Sequence, residues 1–411
     1  MNRQDYLFVG VDLHKEKHVA VLANCWSEVI GFFVTDNAPA KFPKFLRDIK
    51  KKAKGKPVIF GLEDVTFYGR SLAKFLLDEG QIVKAVNSAY TKRERNRSTA
   101  PDKTDTKDAE AICETLIRKL PQLPDANPQD IYWVLKQLLA NYEYLNKMAT
   151  GVKNSLQNQL IHHYPTYNKL FKDIDGKTAL AFFEKFPSPD KLMNETVDSL
   201  ATFLRKHSNN AFSNKKAECI FNEVKNSGWR QAGFQRERDS LIKSYIRTLR
   251  TLQGEMQEME RQMSELIKQS GYKLKTMPGL GTVTAATIIA GIGDISRYPS
   301  ADKIAKISGI APLNKSSGKN LRQTRNRYGN RRLNYAFYIL ALNHIQVDKK
   351  KNPRNPVMYQ YYLKKQQEGR SGKQAMVYVM RRLVNIVYSM MKHKTEYRPP
   401  VQLQKVEGEA S

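Results

Sequence analysis

Residues 6–13 read YLFVGVDL, an apolar run that only Gly10 and Asp12 interrupt. A continuous apolar run of this length is typical of a strand that is buried on both faces. Two similar runs follow at once, HVAVLANC at 18–25 and VIGFFVTD at 29–36. These three segments predict the first strands of a sheet.

Helical and strand patterns alternate after the third strand. The spacing of apolar residues predicts helices over 38–50, 68–80 and 104–120, and strands over 57–64 and 82–87. Three strands followed by alternating helices and strands predict an α/β layer with a mixed sheet. The order matches the ribonuclease-H-like fold, at the level of a fold analogy.

The remainder of the chain has a mostly helical pattern. Residues 236–270 carry apolar side chains near a 3.5-residue period, which predicts a coiled-coil hairpin arm or a dimerisation helix; these are Leu241, Tyr245, Leu249, Leu252, Met256, Met259, Met263 and Leu266. A third, mostly helical part includes predicted helices over 331–347 and 374–393. We therefore expect domains over 1–125, 126–270 and 271–395, followed by a disordered tail over 396–411.

The composition points to a polyanionic partner. The 411 residues include 69 Lys and Arg against 40 Asp and Glu, a formal net charge of +29. A nucleic acid would relieve the self-repulsion of such a chain, and an anionic membrane surface is the second candidate. No apolar run approaches the roughly 18 residues of a membrane span, and no pair of cysteines has a zinc or disulfide spacing. We expect a cytoplasmic protein.

Four carboxylates are candidates for a metal site. Asp12 lies within the first apolar run, where a buried carboxylate needs a cation or strong hydrogen-bond donors. Glu63 ends the fourth predicted strand, and Asp105 and Asp108 share one face of a first helical turn. Oxygen ligands of this kind suit Mg²⁺. The alternatives are that Asp105 and Asp108 complement a helix dipole, and that Asp64 replaces Glu63 as the inward residue.

Two further patterns have weaker implications. Residues 278–281 read PGLG and precede an Ala- and Ile-rich helix, like the first half of a helix-hairpin-helix, in which backbone N–H groups at Gly279 and Gly281 can hold a DNA phosphate. His14 and His18 have an i, i+4 spacing, but a strand would hold them far apart, so we do not expect a zinc site.

Five segments together resemble one protein family. They are VGVDLHKEKHVAVL (9–22), GLEDVTFYGRSLAKFLLDEG (61–80), DKTDTKDAEAI (102–112), MPGLGTVTAATIIAGIGDISRYPSADKIAKISGIAP (277–312) and SSGKNLRQTRNRYGNRRL (316–333). In this order they resemble the DEDD insertion-sequence transposases of the IS110 family, which includes site-specific DNA invertases. The resemblance covers residues 5–345.

The resemblance implies a RuvC-like N-terminal domain in which Asp12, Glu63, Asp105 and Asp108 bind Mg²⁺, with Mn²⁺ as a substitute. It also implies a nucleophilic serine just before a glycine, which gives Ser317 or Ser316, with Ser317 preferred. That serine would form a 5′-phosphoseryl link to DNA. Cationic residues would hold the flanking phosphates; they are Lys319, Arg322, Arg325, Arg327, Arg331 and Arg332.

The resemblance further implies partners. They are DNA at element ends and at the target, a non-coding bridge RNA that selects both, and other copies of the chain in a dimer or tetramer at the bacterial nucleoid. Two rival functions remain on the residues alone. One is a metal-dependent Holliday-junction resolvase or nuclease, in which the serines only line a loop. The other is a non-catalytic nucleic-acid-binding scaffold.

Overall fold

The computed structural model describes residues 2–63, 67–95, 104–128, 130–230, 233–317, 320–324, 326 and 328–399. The chain divides into two compact units. The first comprises Met1–Lys136, Ser270–Leu280 and Thr287–Ser411, and the second comprises Gln137–Gln269 and Gly281–Ala286. The first unit therefore contains both the predicted N-terminal domain and most of the predicted C-terminal domain. The predicted disordered tail lies largely outside the described residues.

A five-stranded mixed sheet forms the N-terminal part of the first unit, as the sequence predicts. Its strands are β1 (Leu7–Leu13), β2 (Lys17–Ala23), β3 (Val29–Asp36), β4 (Val58–Leu62) and β5 (Ile82–Ala85). Their order is β3-β2-β1-β4-β5. β1, β2 and β3 form an antiparallel meander, whereas β4 is parallel to β1 and β5 is parallel to β4.

Helices cover both faces of this sheet. α1 (Phe42–Ala53) and α2 (Arg70–Asp78) bury their apolar residues against one face, which includes Val9 and Phe60. After the short helix α3 (Ser88–Arg95), α4 (Asp105–Lys119) packs Ile112 and Leu116 against the other face. Both faces of β1 are therefore buried, which explains the nearly unbroken apolar run of residues 6–13.

Two glycines allow α4 to lie close to the sheet. Gly10 of β1 and Gly61 of β4 are paired in register. A Cβ atom on Gly10 would lie 2.3 Å from the carbonyl oxygen of Ala109 and 2.3 Å from the backbone nitrogen of Cys113. A Cβ atom on Gly61 would lie 3.1 Å from the side chain of Leu116. Only hydrogen fits at Gly10, so this position sets the distance between α4 and β1.

Gly10→Ala is expected to lower the free energy of unfolding by about 1–3 kcal/mol or more, because the new methyl group meets rigid backbone atoms. Chemical denaturation of the purified variant measures the change. Gly151→Ala is the matched control, because Gly151 lies in a helix with no atom within 4 Å of the added methyl group. This control should gain about 0.5–1 kcal/mol. Equal stability of the Gly10 variant and the wild type would contradict the packing described here.

The described residues of the second unit include all or most of seven consecutive helices, α5 (Asp130–His163), α6 (Tyr167–Leu170), α7 (Lys177–Lys185), α8 (Pro189–Met193), α9 (Val197–Ser208), α10 (Asn214–Asn226) and α11 (Gln235–Ser270), together with the start of a later helix at 282–286. α5 and α11 are antiparallel neighbours, because Tyr142 Oη donates to Glu260 Oε1 at 3.0 Å, and ten residues earlier on α5 the hydroxyl group of Tyr132 lies 3.2 Å from that of Tyr272, just after the end of α11. An aromatic-rich cluster around Phe182 forms the core of this unit.

The predicted heptad of α11 is wrong in its first half. Leu241 is 46% exposed, whereas Ile242 and Ile246 are fully buried in the core of the second unit. Leu249, Leu252 and Met263 are buried as predicted. The first half of α11 packs among several short helices, so its buried face is broader than the seam of a two-helix coiled coil and is rotated by about one residue.

The C-terminal part contains α12 (Thr282–Ile292), α13 (Ala301–Ile307), β6 (Leu313–Ser317), β7 (Asn320–Thr324), α14 (Arg331–Ile345), α15 (Pro356–Gln367) and α16 (Gly372–His393). α14 and α16 confirm the two predicted helices. The antiparallel pair β6–β7 was not predicted and makes this part less purely helical than expected. Among the described residues, no helix combines the length and the apolar character needed to cross a bilayer.

Candidate functional site

Asp12 and Glu63 lie side by side at one end of the sheet. The parallel pairing of β1 and β4 ends with Val11 opposite Leu62, and Asp12 and Glu63 are the next residue on each strand. Each lies two residues beyond a glycine that faces α4, so each is on the α4 side of the sheet. The register of the sheet therefore brings together two carboxylates that are 51 positions apart in the sequence.

The first turn of α4 supplies the other two carboxylates. Thr104 caps the helix by accepting a hydrogen bond from the backbone N–H of Lys107, and Asp105 and Asp108 lie in the first turn. Cys113 of α4 contacts the carbonyl oxygen of Phe8, whereas Asp105 contacts His14 just after β1, so the N-terminus of α4 lies at the end of β1 that carries Asp12. The four predicted acidic residues thus come from three elements that converge at one edge.

His14 joins two of these carboxylates. Its Nε2 atom lies 2.9 Å from Asp12 Oδ2 and 3.4 Å from Asp105 Oδ1. Ligand atoms of Asp12, His14 and Asp105 all lie within 4.8 Å of one another, which is close enough for one metal ion. This group does not include Glu63 or Asp108. Sequence reasoning considered His14 only as a partner of His18 and missed its position two residues after Asp12.

The electrostatics of Asp12 favour a cation. Its side chain is 14% exposed, and burial raises the pKa of the carboxyl group above its ordinary value of 3.8. The contact with His14 lowers this pKa, while the negative charges of Asp108 and Asp105 raise it further. The effect of Asp108 on Asp12 indicates that the second acidic residue of α4 is also close. A bound cation would offset both the burial and the repulsion.

Glu63 and Asp105 each have a neighbouring donor. The hydroxyl group of Thr91 donates to Glu63 Oε2 at 3.3 Å, and Lys17 Nζ lies 3.5 Å from Asp105 Oδ2. Asp64, the alternative to Glu63, lies outside the described residues. His18 is buried with its ring centroid 6.2 Å from that of Phe42, and it is not part of the group around His14. His18 is therefore a core residue.

The two candidate serines lie at the end of β6. The backbone of Ser317 pairs with Asn320 and that of Ser316 pairs with Leu321. The structure describes only the backbone of both serines and of Arg322, and Gly318, Lys319, Arg325 and Arg327 lie outside the described residues. The sequence predicted a loop here. The structure instead places both serines at the end of a strand that pairs with β7.

Arg331 and Arg332 begin α14, and both are exposed. At the other candidate phosphate contact, Gly279 has a positive φ of 78°, which favours glycine. The side-chain amide of Asn343 donates to the carbonyl oxygen of Gly279 at 2.8 Å, and Gly281 directly precedes α12. The tight turn before a helix is thus as expected, and its contact with a phosphate remains a prediction.

Comparisons with known proteins find transposases along most of the chain. A DEDD transposase model of the IS110 type matches residues 9–165, and a model described as transposase IS116/IS110/IS902 family matches residues 271–362. The 44.8 kDa protein of insertion element IS116 from Streptomyces clavuligerus is 25% identical over 97% of both chains. The 42 kDa protein of insertion element IS900 from Mycobacterium paratuberculosis is 23% identical over 96% of this chain and 97% of its own. The pilin gene-inverting protein of Moraxella lacunata is 24% identical over 41% of this chain and 54% of its own.

Proposed function

The chain belongs to the IS116/IS110/IS902 family of transposases and is an enzyme that acts on DNA, and from this premise we propose that it cuts and rejoins DNA through a phosphoserine link. Its substrates are the ends of an insertion element and a target site. The observation that carries the proposal is the convergence of Asp12 and Asp105, beside Glu63 and Asp108, at one edge of the sheet.

The acidic edge fits a divalent cation. Its oxygen donors are those that Mg²⁺ prefers, and the raised pKa of Asp12 reflects a buried charge that a cation would compensate. Asp12, Glu63, Asp105 and Asp108 would hold Mg²⁺, or Mn²⁺ in its place. Bound there, the ion would supply a positive charge that stabilises the negative charge developing on the phosphate. The carboxylates would fix its position relative to α4 and the sheet.

The serine hydroxyl supplies the nucleophile. In the proposed step, the Oγ atom of Ser317, or of Ser316, forms a bond to the phosphorus atom, and the bond from phosphorus to the 3′ oxygen breaks. The hydroxyl proton passes to a carboxylate of the acidic edge or to water, because a serine needs a base to react at neutral pH. The leaving 3′ oxygen takes up a proton. A later attack by a 3′-hydroxyl group reverses the step and joins the strands.

Cationic residues around the hairpin would hold the flanking phosphates. Arginine suits this role because its planar guanidinium group can make two parallel hydrogen bonds to a phosphate. The candidates are Lys319, Arg322, Arg325, Arg327, Arg331 and Arg332. Contacts of this kind position the backbone but do not read the sequence.

A non-coding bridge RNA would then select the element ends and the target by base pairing. The net charge of +29 is compatible with an assembly of RNA and DNA, because phosphate contacts supply affinity without reading the sequence. We further propose that a dimer or tetramer, acting at the nucleoid, supplies acidic edges and serines to both strands. The domain division expected from the sequence, with a catalytic part over 1–125 and a serine-bearing part over 271–395, belongs to this proposal, as does the ribonuclease-H-like character of the sheet.

A covalent-capture experiment tests the proposed function. The protein, its RNA and DNA carrying element ends are incubated with Mg²⁺, and the products are separated under denaturing conditions. The proposal expects a protein–DNA adduct that disappears when EDTA replaces Mg²⁺. Cleavage without an adduct would indicate a metal-dependent nuclease or junction resolvase instead. Binding without cleavage, with RNA present, would indicate a scaffold.

Affinity for duplex DNA is expected to fall steeply as salt rises. Each phosphate that the protein neutralises releases counterions, which lowers log K by about 0.9 for each tenfold increase in salt concentration. Fluorescence anisotropy with a labelled duplex at several KCl concentrations measures the slope. Arg331→Ala should reduce the slope by about 1, whereas Lys74→Ala, which removes a lysine paired with Asp78 on α2, should leave it unchanged. A flat salt response would contradict extended contact with the backbone.

A further inference from the structure

The outer side of α14 carries an aromatic and basic stripe. The inner side is buried through residues that include Leu333, Phe337 and Leu340. Arg331, Tyr335 and Tyr338 recur at i, i+4 and i+7 on the opposite side, so they share one face of the helix. Arg331 is exposed, Tyr335 is 64% exposed and Tyr338 is 41% exposed. We call these three residues the α14 stripe.

The tyrosines of the stripe present aromatic faces in a fixed arrangement. The ring centroids of Tyr335 and Tyr338 are 6.5 Å apart, and the planes of the two rings differ by 27°. Both side chains project from a helix whose other side is anchored in the core, so little conformational freedom is lost when a planar ligand stacks on them. Two nearly parallel rings on a rigid helix form a ready stacking platform.

A third exposed tyrosine lies just before the helix. Tyr328 is 92% exposed, and its backbone N–H donates to the side chain of Asn326, which in turn donates to the carbonyl oxygen of Lys306. A Cβ atom on Gly329 would lie 2.3 Å from the backbone nitrogen of Gly309, so the two backbones are in close contact. The turn that carries Tyr328 is therefore held in place although the ring itself is exposed.

The charge of the sequence segment that contains the stripe favours a polyanion over a second copy of this chain. Between Asp302 and Asp348 the sequence contains no acidic residue and nine cationic ones: Lys303, Lys306, Lys315, Lys319, Arg322, Arg325, Arg327, Arg331 and Arg332. Two copies of this basic segment would repel each other, whereas a nucleic acid would be attracted to it. Exposed aromatic rings among cationic side chains are the combination that binds unpaired nucleotides.

We infer that the α14 stripe, with Tyr328, binds the unpaired bases of a DNA strand next to the β6–β7 hairpin that carries the two serines. The bases stack on the tyrosine rings, and Arg331 contacts the adjoining phosphate. Strand exchange requires the bases beside the cut to leave their old partners before they find new ones, and the stripe would hold them in that interval. This inference rests on the proposed function for the identity of the strand, but the binding site itself can be tested without cleavage.

The test compares binding of a labelled single-stranded deoxyoligonucleotide, a duplex of the same length and an oligoribonucleotide to the full-length protein. EDTA is present to prevent cleavage, and about 0.2 M KCl weakens contacts with phosphate alone. The variant is Tyr335→Ala with Tyr338→Ala. Tyr335→Phe with Tyr338→Phe keeps the rings, and Tyr144→Ala removes a tyrosine that is 61% exposed on α5. Melting temperatures confirm that all variants are folded.

The double alanine variant should bind single-stranded DNA about thirtyfold more weakly or worse, because it removes two base–aromatic stacks and each contributes roughly fivefold or more to the affinity. Its affinity for the duplex should change less than about twofold, and the phenylalanine and Tyr144 variants should match the wild type. An unchanged affinity for single-stranded DNA, an equal loss for the duplex, or a loss confined to RNA would overturn the inference. The binding result does not depend on adduct formation, and adduct formation does not depend on the binding result. The two proposals are therefore tested separately.

Discussion

Asp12→Asn is expected to lower the rate of DNA cleavage by roughly a thousandfold or more, because it removes a carboxylate that lies 2.9 Å from His14 and belongs to the ligand group with Asp105. Asparagine has nearly the same shape and keeps one oxygen, so the change removes charge with little effect on packing. Cleavage of element-end DNA under single-turnover conditions measures the loss. Asp48→Asn, at an exposed carboxylate of α1, is the matched control and should retain full activity.

The Asp12→Asn variant should be at least as stable as the wild type. Burial raises the pKa of Asp12 above 3.8, so the folded state holds this proton more tightly than the unfolded state. The resulting contribution to stability is present at pH values below 3.8 and is lost as the pH rises through the raised pKa. At neutral pH the ionised carboxylate therefore opposes folding, and asparagine avoids this cost. Thermal unfolding without Mg²⁺ should give an equal or higher melting temperature for the variant.

The change in stability on adding Mg²⁺ distinguishes the role of the Asp12 carboxylate as a metal ligand from its effect on folding. At a concentration of ten times its Kd, Mg²⁺ should stabilise the wild type by about 1.4 kcal/mol. The Asp12→Asn variant should show a smaller shift or none at the same concentration. If Asp12→Asn cleaves DNA at the wild-type rate, or if Mg²⁺ stabilises it as much as the wild type, the assignment of Asp12 as a ligand is contradicted.

Ser317→Ala is expected to abolish the covalent adduct and to lower strand cleavage by at least about a thousandfold, because it removes the proposed attacking oxygen atom. Ser316→Ala is the matched control, since it removes the neighbouring hydroxyl group from the same strand, and it should retain the adduct. Both variants should bind DNA as tightly as the wild type. Gel separation under denaturing conditions measures the adduct.

The outcome of this pair also decides between the two serines. If Ser316→Ala loses the adduct and Ser317→Ala keeps it, the proposed mechanism is retained and Ser316 is the nucleophile. Retention of the adduct by both single variants and by the double variant would contradict a serine nucleophile at the end of β6.

The N-terminal sheet was predictable from the sequence because its strands are buried on both faces. Residues 6–13 and 57–64 are mostly apolar. In a chain with a net charge of +29, such runs indicate strands that are buried on both faces. The position of Asp12 beside Glu63 was harder to predict from the sequence, since it depends on the pairing of Gly10 with Gly61. A pattern of alternation indicates which side of a strand a residue faces, but it does not give the register between strands.

The hairpin β6–β7 illustrates where sequence patterns fail. Its strands read LNKSS and NLRQT, in which Leu313 and Leu321 are the only apolar residues, so no period of two is visible. The backbone pairing defines these strands, and their mostly polar side chains leave no core-facing signal in the sequence. The heptad of α11 fails for the opposite reason. Periods of 3.5 and 3.6 differ too little over five turns to identify the buried face when several helices pack against it.

His14 was missed because its role depends on a turn rather than on a motif. It follows β1 directly, and the tight connection to β2 returns its ring toward Asp12 and Asp105. The zinc-like spacing with His18 directed attention to the wrong partner. A histidine two residues after a buried aspartate, at the end of a strand, is the signal that the sequence contained.

Peptide mapping of the captured adduct tests the central claim most directly. After nuclease digestion trims the DNA, trypsin cleaves after Lys315 and Lys319 and releases the four-residue peptide 316–319, SSGK. The account predicts that this peptide carries the added mass of a nucleotide and that fragmentation locates it on Ser317 or Ser316. A nucleotide attached to any other peptide, or DNA that is cut and rejoined without any attached peptide, would contradict it.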